Sequence, residues 1–183
     1  MRRPGWRAGR DAGLASWARQ LPVVASVIMG GQANLAGRGQ DRPLICVLGD
    51  AHIDVVVSPD GPFELETDTR ARVTVAVGGQ AANVAAWVAA LSGTARLIAA
   101  RAGDLAGSLV AAELASRGVE LVGPVLAGRT GTVVCMSEGG GTRSMLTDRG
   151  VGPGLDASAF QPAWLDGCSW LHLPAYSLVA EPV

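Results

Sequence analysis

The chain has no lysine: all fifteen of its cationic side chains are arginine, which reads as base composition of the gene and not as a structural signal. Cysteine is scarce and odd in number. Cys46, Cys135 and Cys168 are widely spaced and form no CxxC pair, so a disulfide framework is excluded and free, mostly buried thiols in a reducing, cytoplasmic compartment are expected. The two histidines, His52 and His172, lie far apart and are too thin a set to propose a metal centre. No apolar run reaches the ~18 residues of a membrane-spanning helix, so no membrane partner is expected. Aromatic residues make up 4% of the chain. With no basic stripe beside them, they exclude a nucleic-acid platform.

What is present is a globular composition, 49% hydrophobic and 17% charged over 183 residues, enough for one domain with a real core. The charge is uneven. Seven arginines against Asp11 and Asp41 leave residues 1–42 at +5, and eight arginines against fourteen acids leave the remainder at −6. The segment LPVVASVIM at 21–29 follows several arginines and faintly resembles a signal peptide, but no small-x-small cleavage site follows it. Residues 1–43 are therefore expected to be a disordered tail or sequence upstream of the true start, with Met29 an alternative first residue.

From residue 43 the texture changes. PLICVLGD (43–50) is a short apolar run ending in glycine, the pattern of a buried parallel strand, and DVVVS (54–58) is expected to continue or pair with it. RARVTVAV (70–77) alternates polar and β-branched residues and reads as a strand with one wet face. ARLIAARAGD (95–104) is the next buried strand. LAGSLVAAELASRG (105–118) has helical spacing, with Gly118 as its C-cap. Two strand-like runs surround a glycine turn in TGTVVCMSEGGGTRSMLTDRG, and CSWLHLPAYSL closes the chain with another strand. Strands alternating with helices of ten to fifteen residues predict βαβ units and a parallel sheet covered on both faces. The polar-faced strands, at about 59–77 and 129–149, fit a smaller, partly exposed β-layer beside it.

Two glycine pairs compete for chemistry. GGQANLAGRG (30–39) grows no helix and is discarded. AVGGQAANVAAWVAAL (76–91) follows a strand and opens an apolar helix of about three turns. Glycines at that place let backbone N–H groups approach a ligand, and the helix N-terminus adds partial positive charge. Asn83 either points its amide into the pocket or caps the helix. Asp50 and Asp54, in GDAHID, lie just past the end of a strand, where open α/β sheets bind ligands. They are either ordinary turn residues or acceptors for a ligand rich in hydroxyl groups.

Taken in order, VLGDAHIDVVV, GGQAANVAAWVAAL, AGDLAGSLVAAELASRGV, TGTVVCMSEGGGTRSMLTDRG and WLHLPAYSL resemble the N-terminal half of the PfkB, or ribokinase-like, carbohydrate kinases, from about Leu44 onward. The resemblance implies a Rossmann-like three-layer αβα fold of ribokinase type with a small β-lid, truncated before the C-terminal nucleotide-binding half. It places sugar hydroxyls on Asp54, Gly79, Gln80 and Asn83, with Asp50, His52, Gly78 and Tyr176 completing the substrate-binding set. His52 stands where the motif usually has asparagine, and Gln80 where lysine or serine is common. The interval from the helix to Gly103 is one residue longer than the family signature.

In such kinases a C-terminal GAGD motif supplies the catalytic base and the anion-holding amides, with ATP and Mg2+ as cofactors. Here RAGD (101–104) has Arg101 for the first glycine and follows the glycine-pair helix too soon, so Asp104 is expected to be a helix cap and not a base. The resemblance thus implies a sugar kinase fragment that carries the substrate side, without a catalytic residue or a cofactor of its own. A nucleoside as acceptor, a non-catalytic sugar- or protein-binding module, and a homodimer through the β-lid all stay open. A dinucleotide-binding Rossmann domain is weaker, because GDAHID lacks GxGxxG.

Overall fold

In the computed structural model, residues 42–137 and 142–175 are described, and all of them fall within one unit running from 40 to 183. In chain order the elements are β1 (Leu44–Leu48), β2 (His52–Pro59), β3 (Ala71–Gly78), α1 (Gln80–Ala90), β4 (Thr94–Ile98), β5 (Arg101–Ala102), α2 (Leu105–Ser116), β6 (Val119–Val122), β7 (Val125–Leu126), β8 (Thr130–Ser137), β9 (Arg143–Gly150) and β10 (Cys168–His172). Two 3₁₀ turns, Gly152–Gly154 and Pro162–Leu165, precede the last strand. The expected tail (1–43), apart from its last two residues, and the glycine turn at 138–141 lie outside the described residues.

Four short apolar strands form a parallel sheet in the order β10-β1-β4-β6. Residues opposite one another in register share a face. One face therefore carries Ile45 and Val47, Ala95 and Leu97, Val119 and Leu121, and both helices pack on it in a single core. Helix α1 presents Ala81, Ala82 and Ala85, whose small side chains bring its backbone close to the sheet. Helix α2 presents Gly107, Val110 and Leu114, the three-and-four spacing of a buried stripe. Gly118, with φ +77°, ends α2 as expected.

The other face carries Cys46, Arg96 and Glu120 in register. Arg96 pairs with Glu120 at 2.8 Å and donates to the carbonyls of Trp164 and Asp166 at 3.1 and 2.8 Å, tying the second 3₁₀ turn to the sheet. Cys46 is fully buried there. Burial, with Cys168 beside it, pushes its thiol up to about 12, so it stays protonated and unreactive. Cys135 and Cys168 are half-buried, less enclosed than expected.

A second sheet has the order β3-β2-β8-β9, with β2 and β8 parallel and both outer pairs antiparallel. This is the small β-layer, but its composition corrects one expectation. The valine run at 54–58 does not extend or pair with β1; it is the interior of β2, a central strand of the second layer. Three residues, Gly49 to Ala51, turn the chain from one sheet to the other. The run misled because β-branched residues suit any strand, whichever sheet receives it. The layer's first segment also differs from 59–77: residues 60–70 form a loop and β3 begins at Ala71. Register again separates two faces. Ile53, Val55, Val57, Val73, Val75, Val77, Val134, Met136 and Leu146 share one, whereas Asp54, Val56, Ala76 and Val133 share the other.

The two layers are joined at Asp104. Its carboxylate accepts the Gly107 amide at 2.8 Å as the N-cap of α2, the Thr130 hydroxyl at 2.7 Å and the Thr130 amide at 2.9 Å. Thr130 Oγ1 in turn accepts the Ala102 amide at 3.1 Å. A Cβ on Gly107 would lie 2.1 Å from the Ala102 carbonyl, so only glycine allows this approach. The Thr130 hydroxyl and amide, with the Gly107 amide, hold the Asp104 carboxyl below its ordinary range. A depressed carboxyl contributes stability fully above its unfolded value of about 3.9, and loses it as pH falls through the folded value. Asp104→Ala is expected to cost about 2–3 kcal/mol at neutral pH, from the lost cap and the stranded Thr130. In urea titrations the gap to wild type should narrow as pH falls below about 4; a gap independent of pH would remove the carboxylate from this role.

Candidate functional site

The turn between β1 and β2 runs past the C-terminal end of the parallel sheet, where Gly49 donates its amide to the Ile98 carbonyl at 3.1 Å. Asp50 leaves this turn toward helix α1. Its Oδ1 accepts the Ala81 amide at 3.1 Å, and its backbone carbonyl accepts the Ala82 amide at 3.2 Å. Two of the free N–H groups that open the helix are thereby satisfied by one residue 31 positions earlier. The amides expected to face a ligand are partly occupied from within.

Asn83 is not the helix cap. The N-cap position belongs to Gly79, which makes no side-chain cap bond, and the capping is done across space by Asp50. Asn83 is instead the fourth residue of α1, exposed, and held only through its backbone amide to the Gly79 carbonyl at 2.9 Å. Gln80, the first helical residue, is exposed as well. Among the described residues neither side chain makes a hydrogen bond, so both amides are available to a ligand at the start of α1.

The glycine pair is needed for two different close approaches. Gly79 has φ +109°, and a Cβ there would lie 2.5 Å from the Asp50 carbonyl. A Cβ on Gly78 would lie 2.1 Å from Asp54 Oδ2, so the Asp54 carboxylate rests directly against the Gly78 backbone. His52 and Asp54 sit two apart on one face of β2. His52 Nε2 is 3.0 Å from Asp54 Oδ1, and its Nδ1 is 3.6 Å from Asp50 Oδ2. The His52 side chain is 19% exposed and both carboxylates 33%, a cluster that is sheltered but open to one side.

Asp50, His52, Asp54, Gly78 and Gly79 therefore form one contact group, with Gln80 and Asn83 on the adjoining helical turn. Tyr176 lies outside the described residues. Asp104 is not in this group, and its two carboxylate oxygens are committed to Gly107 and Thr130. Two features were not found from the sequence. One is the use of Gly78 as a seat for Asp54, for which the diagonal placement across a β2–β3 pair was the only signal. The other is Arg101, whose Nη1 is buried with no partner among the described residues.

Gly79→Ala is expected to lower stability by about 1–3 kcal/mol in chemical denaturation, because an L side chain is strained at that φ and meets the turn. Asp50→Asn keeps an acceptor oxygen for the Ala81 amide and is expected to cost under about 1 kcal/mol. Equal losses would show that the charge of Asp50, and not its capping oxygen, holds the turn.

This arrangement has counterparts. A family model described as pfkB family carbohydrate kinase matches residues 42–169. A fructokinase from Escherichia coli is 33% identical over 143 residues, which cover 75% of this chain and 42% of that protein. The crystal structure of a fructokinase with bound ATP from Xylella fastidiosa superposes with a TM-score of 0.63 at 22% identity, covering 76% of this chain and 44% of that one. An adenosine kinase from Sinorhizobium meliloti gives a TM-score of 0.63 at 20% identity, covering 74% and 48%. The two structural likenesses show a common ribokinase-type α/β fold, and the chain spans less than half the length of each of these relatives. Since the family match takes in β1 to β9, the Asp50–Asp54 turn and the glycine pair, the chain belongs to the pfkB family of carbohydrate kinases.

Proposed function

We propose that this chain forms the acceptor side of a kinase that phosphorylates a sugar hydroxyl with ATP and Mg2+. The observation that carries the reading is the Asp54 carboxylate, seated between His52 and Gly78 and one-third exposed, beside a helical turn whose Gln80 and Asn83 amides are free. A carboxylate accepts hydrogen bonds from hydroxyl groups, and an amide can both donate and accept, so together they suit a polyol. ATP with Mg2+ supplies the phosphoryl group in such a reaction.

The residues described do not themselves fit that donor. Among them no group of three or more His, Cys, Asp and Glu side chains, the Asp50–His52–Asp54 contact included, is placed to hold a metal ion, and both Asp104 oxygens are already engaged. We therefore assign these residues binding and orientation of the acceptor, with no step of the transfer. Among the described residues no helix is long and apolar enough to cross a membrane.

We also propose a second copy of the chain against the exposed part of the β-layer face that carries Val73, Val75 and Leu146, which are 57%, 58% and 64% exposed, whereas Ile53, Val55 and Val77 of the same face pack on the core. Sedimentation velocity is expected to show a concentration-dependent dimer that Val75→Glu abolishes. A wild-type monomer at every concentration would contradict this contact.

The acceptor reading is tested by calorimetry with D-fructose and adenosine. D-fructose is expected to bind, and Asp54→Ala to weaken it by about 10- to 100-fold, the loss of a charge-assisted hydrogen bond. Unchanged affinity in that variant would reject the site, and adenosine binding in place of fructose would move the acceptor class to nucleosides. Sugar-dependent ADP formation by the chain alone would contradict a purely acceptor-side role.

A further inference from the structure

We infer that His52 is a positioning residue, which clamps the Asp54 carboxylate in the orientation that receives the acceptor and so sets acceptor affinity; this rests on the function proposed above. The geometry is a chain of three contacts. The start of α1 fixes Asp50 through the Ala81 amide at 3.1 Å. Asp50 Oδ2 faces His52 Nδ1 at 3.6 Å, beyond hydrogen-bond length. His52 Nε2 lies 3.0 Å from Asp54 Oδ1, close enough to fix the carboxylate's position beside the ring.

A carboxylate on an extended strand has staggered side-chain positions open to it and would ordinarily choose the best solvated one. Here Oδ1 lies 3.0 Å from the imidazole and Oδ2 lies where a Cβ of residue 78 would be. Holding the group in this position before the ligand arrives removes an ordering cost from binding. The imidazole suits the task because its two nitrogens point in different directions, so one ring can face both carboxylates. An asparagine at the same place can donate to Asp54, but it turns either its oxygen or nothing toward Asp50. Without any donor at 52, two carboxylates would share a sheltered turn with no group between them, and Asp54 would swing toward water. His52 thus stands between its two neighbours, Nε2 toward Asp54 and Nδ1 toward Asp50.

The test combines D-fructose calorimetry with crystal structures of the unliganded chain, for wild type, His52→Leu, His52→Asn and Asp54→Ala. His52→Leu is expected to weaken fructose binding about tenfold or more and to release the Asp54 carboxylate from Gly78. His52→Asn, which retains one donor, should restore most of the affinity and the Asp54 position; a purely structural role would not distinguish the two. Wild-type affinity in His52→Leu, with binding lost in Asp54→Ala, would overturn this inference and leave the acceptor site standing. Unchanged binding in Asp54→Ala would instead sink the acceptor site itself. Should wild type not bind fructose, or His52→Leu not fold, the crystal structures of wild type and His52→Asn decide. An Asp54 carboxylate pointing away from residue 52 in wild type overturns the inference, and one held against both Gly78 and the residue-52 donor supports it.

Discussion

One residue, Asp50, fixes the relation between the parallel sheet, the first helix and the strand that begins the second sheet. Its carboxylate and carbonyl together satisfy two amides at the start of α1, and its remaining oxygen faces the first side chain of β2. A helix whose first turn is so capped does not need a polar residue of its own there, which frees Gln80 and Asn83 to face outward. The glycine pair follows from the same constraint. Gly79 must bring the chain past the Asp50 carbonyl, and Gly78 must leave room for Asp54.

A second node, Asp104 with Thr130, does the corresponding work between α2 and the strand β8. The two nodes use the same device: a carboxylate in a turn caps a helix and also holds a strand of the outer layer. Asp50 reaches β2 through His52, and Asp104 reaches β8 directly. Because β2 and β8 are parallel neighbours, the outer layer is anchored to the helical layer at adjacent strands. Asp54, two residues into β2, lies near that anchored end of the layer.

Local patterns in the sequence were enough for elements whose causes are local. Asp104 ahead of an apolar period marked the start of α2, Gly118 its end, and the glycine pair the start of α1. Alternation marked the outer strands but not which sheet would take them. The valine run after Asp54 satisfied the pattern of either sheet, and only the three-residue turn before it decides. The roles of Asp50 and Thr130 were not legible for a different reason. Their partners lie 31 and 26 positions away, so no spacing rule reaches them. Asn83 looked like a cap because asparagine favours that position, yet the cap arrives from another part of the chain. The resemblance to the kinase family carried what local physics could not, namely the expectation that Asp54 and Asn83 belong to one site.

In the function we propose, the site is the Asp54 carboxylate beside His52 and Gly78, together with the Gln80 and Asn83 amides at the start of α1. That combination accounts for acceptor recognition without asking the same residues to perform the transfer. A crystal structure of the chain soaked with D-fructose tests it most directly. A sugar hydroxyl within hydrogen-bond length of the Asp54 carboxylate, with the Asn83 amide on the same molecule, is the predicted result. Fructose bound elsewhere, with Asp54 and Asn83 both facing only solvent, would contradict it.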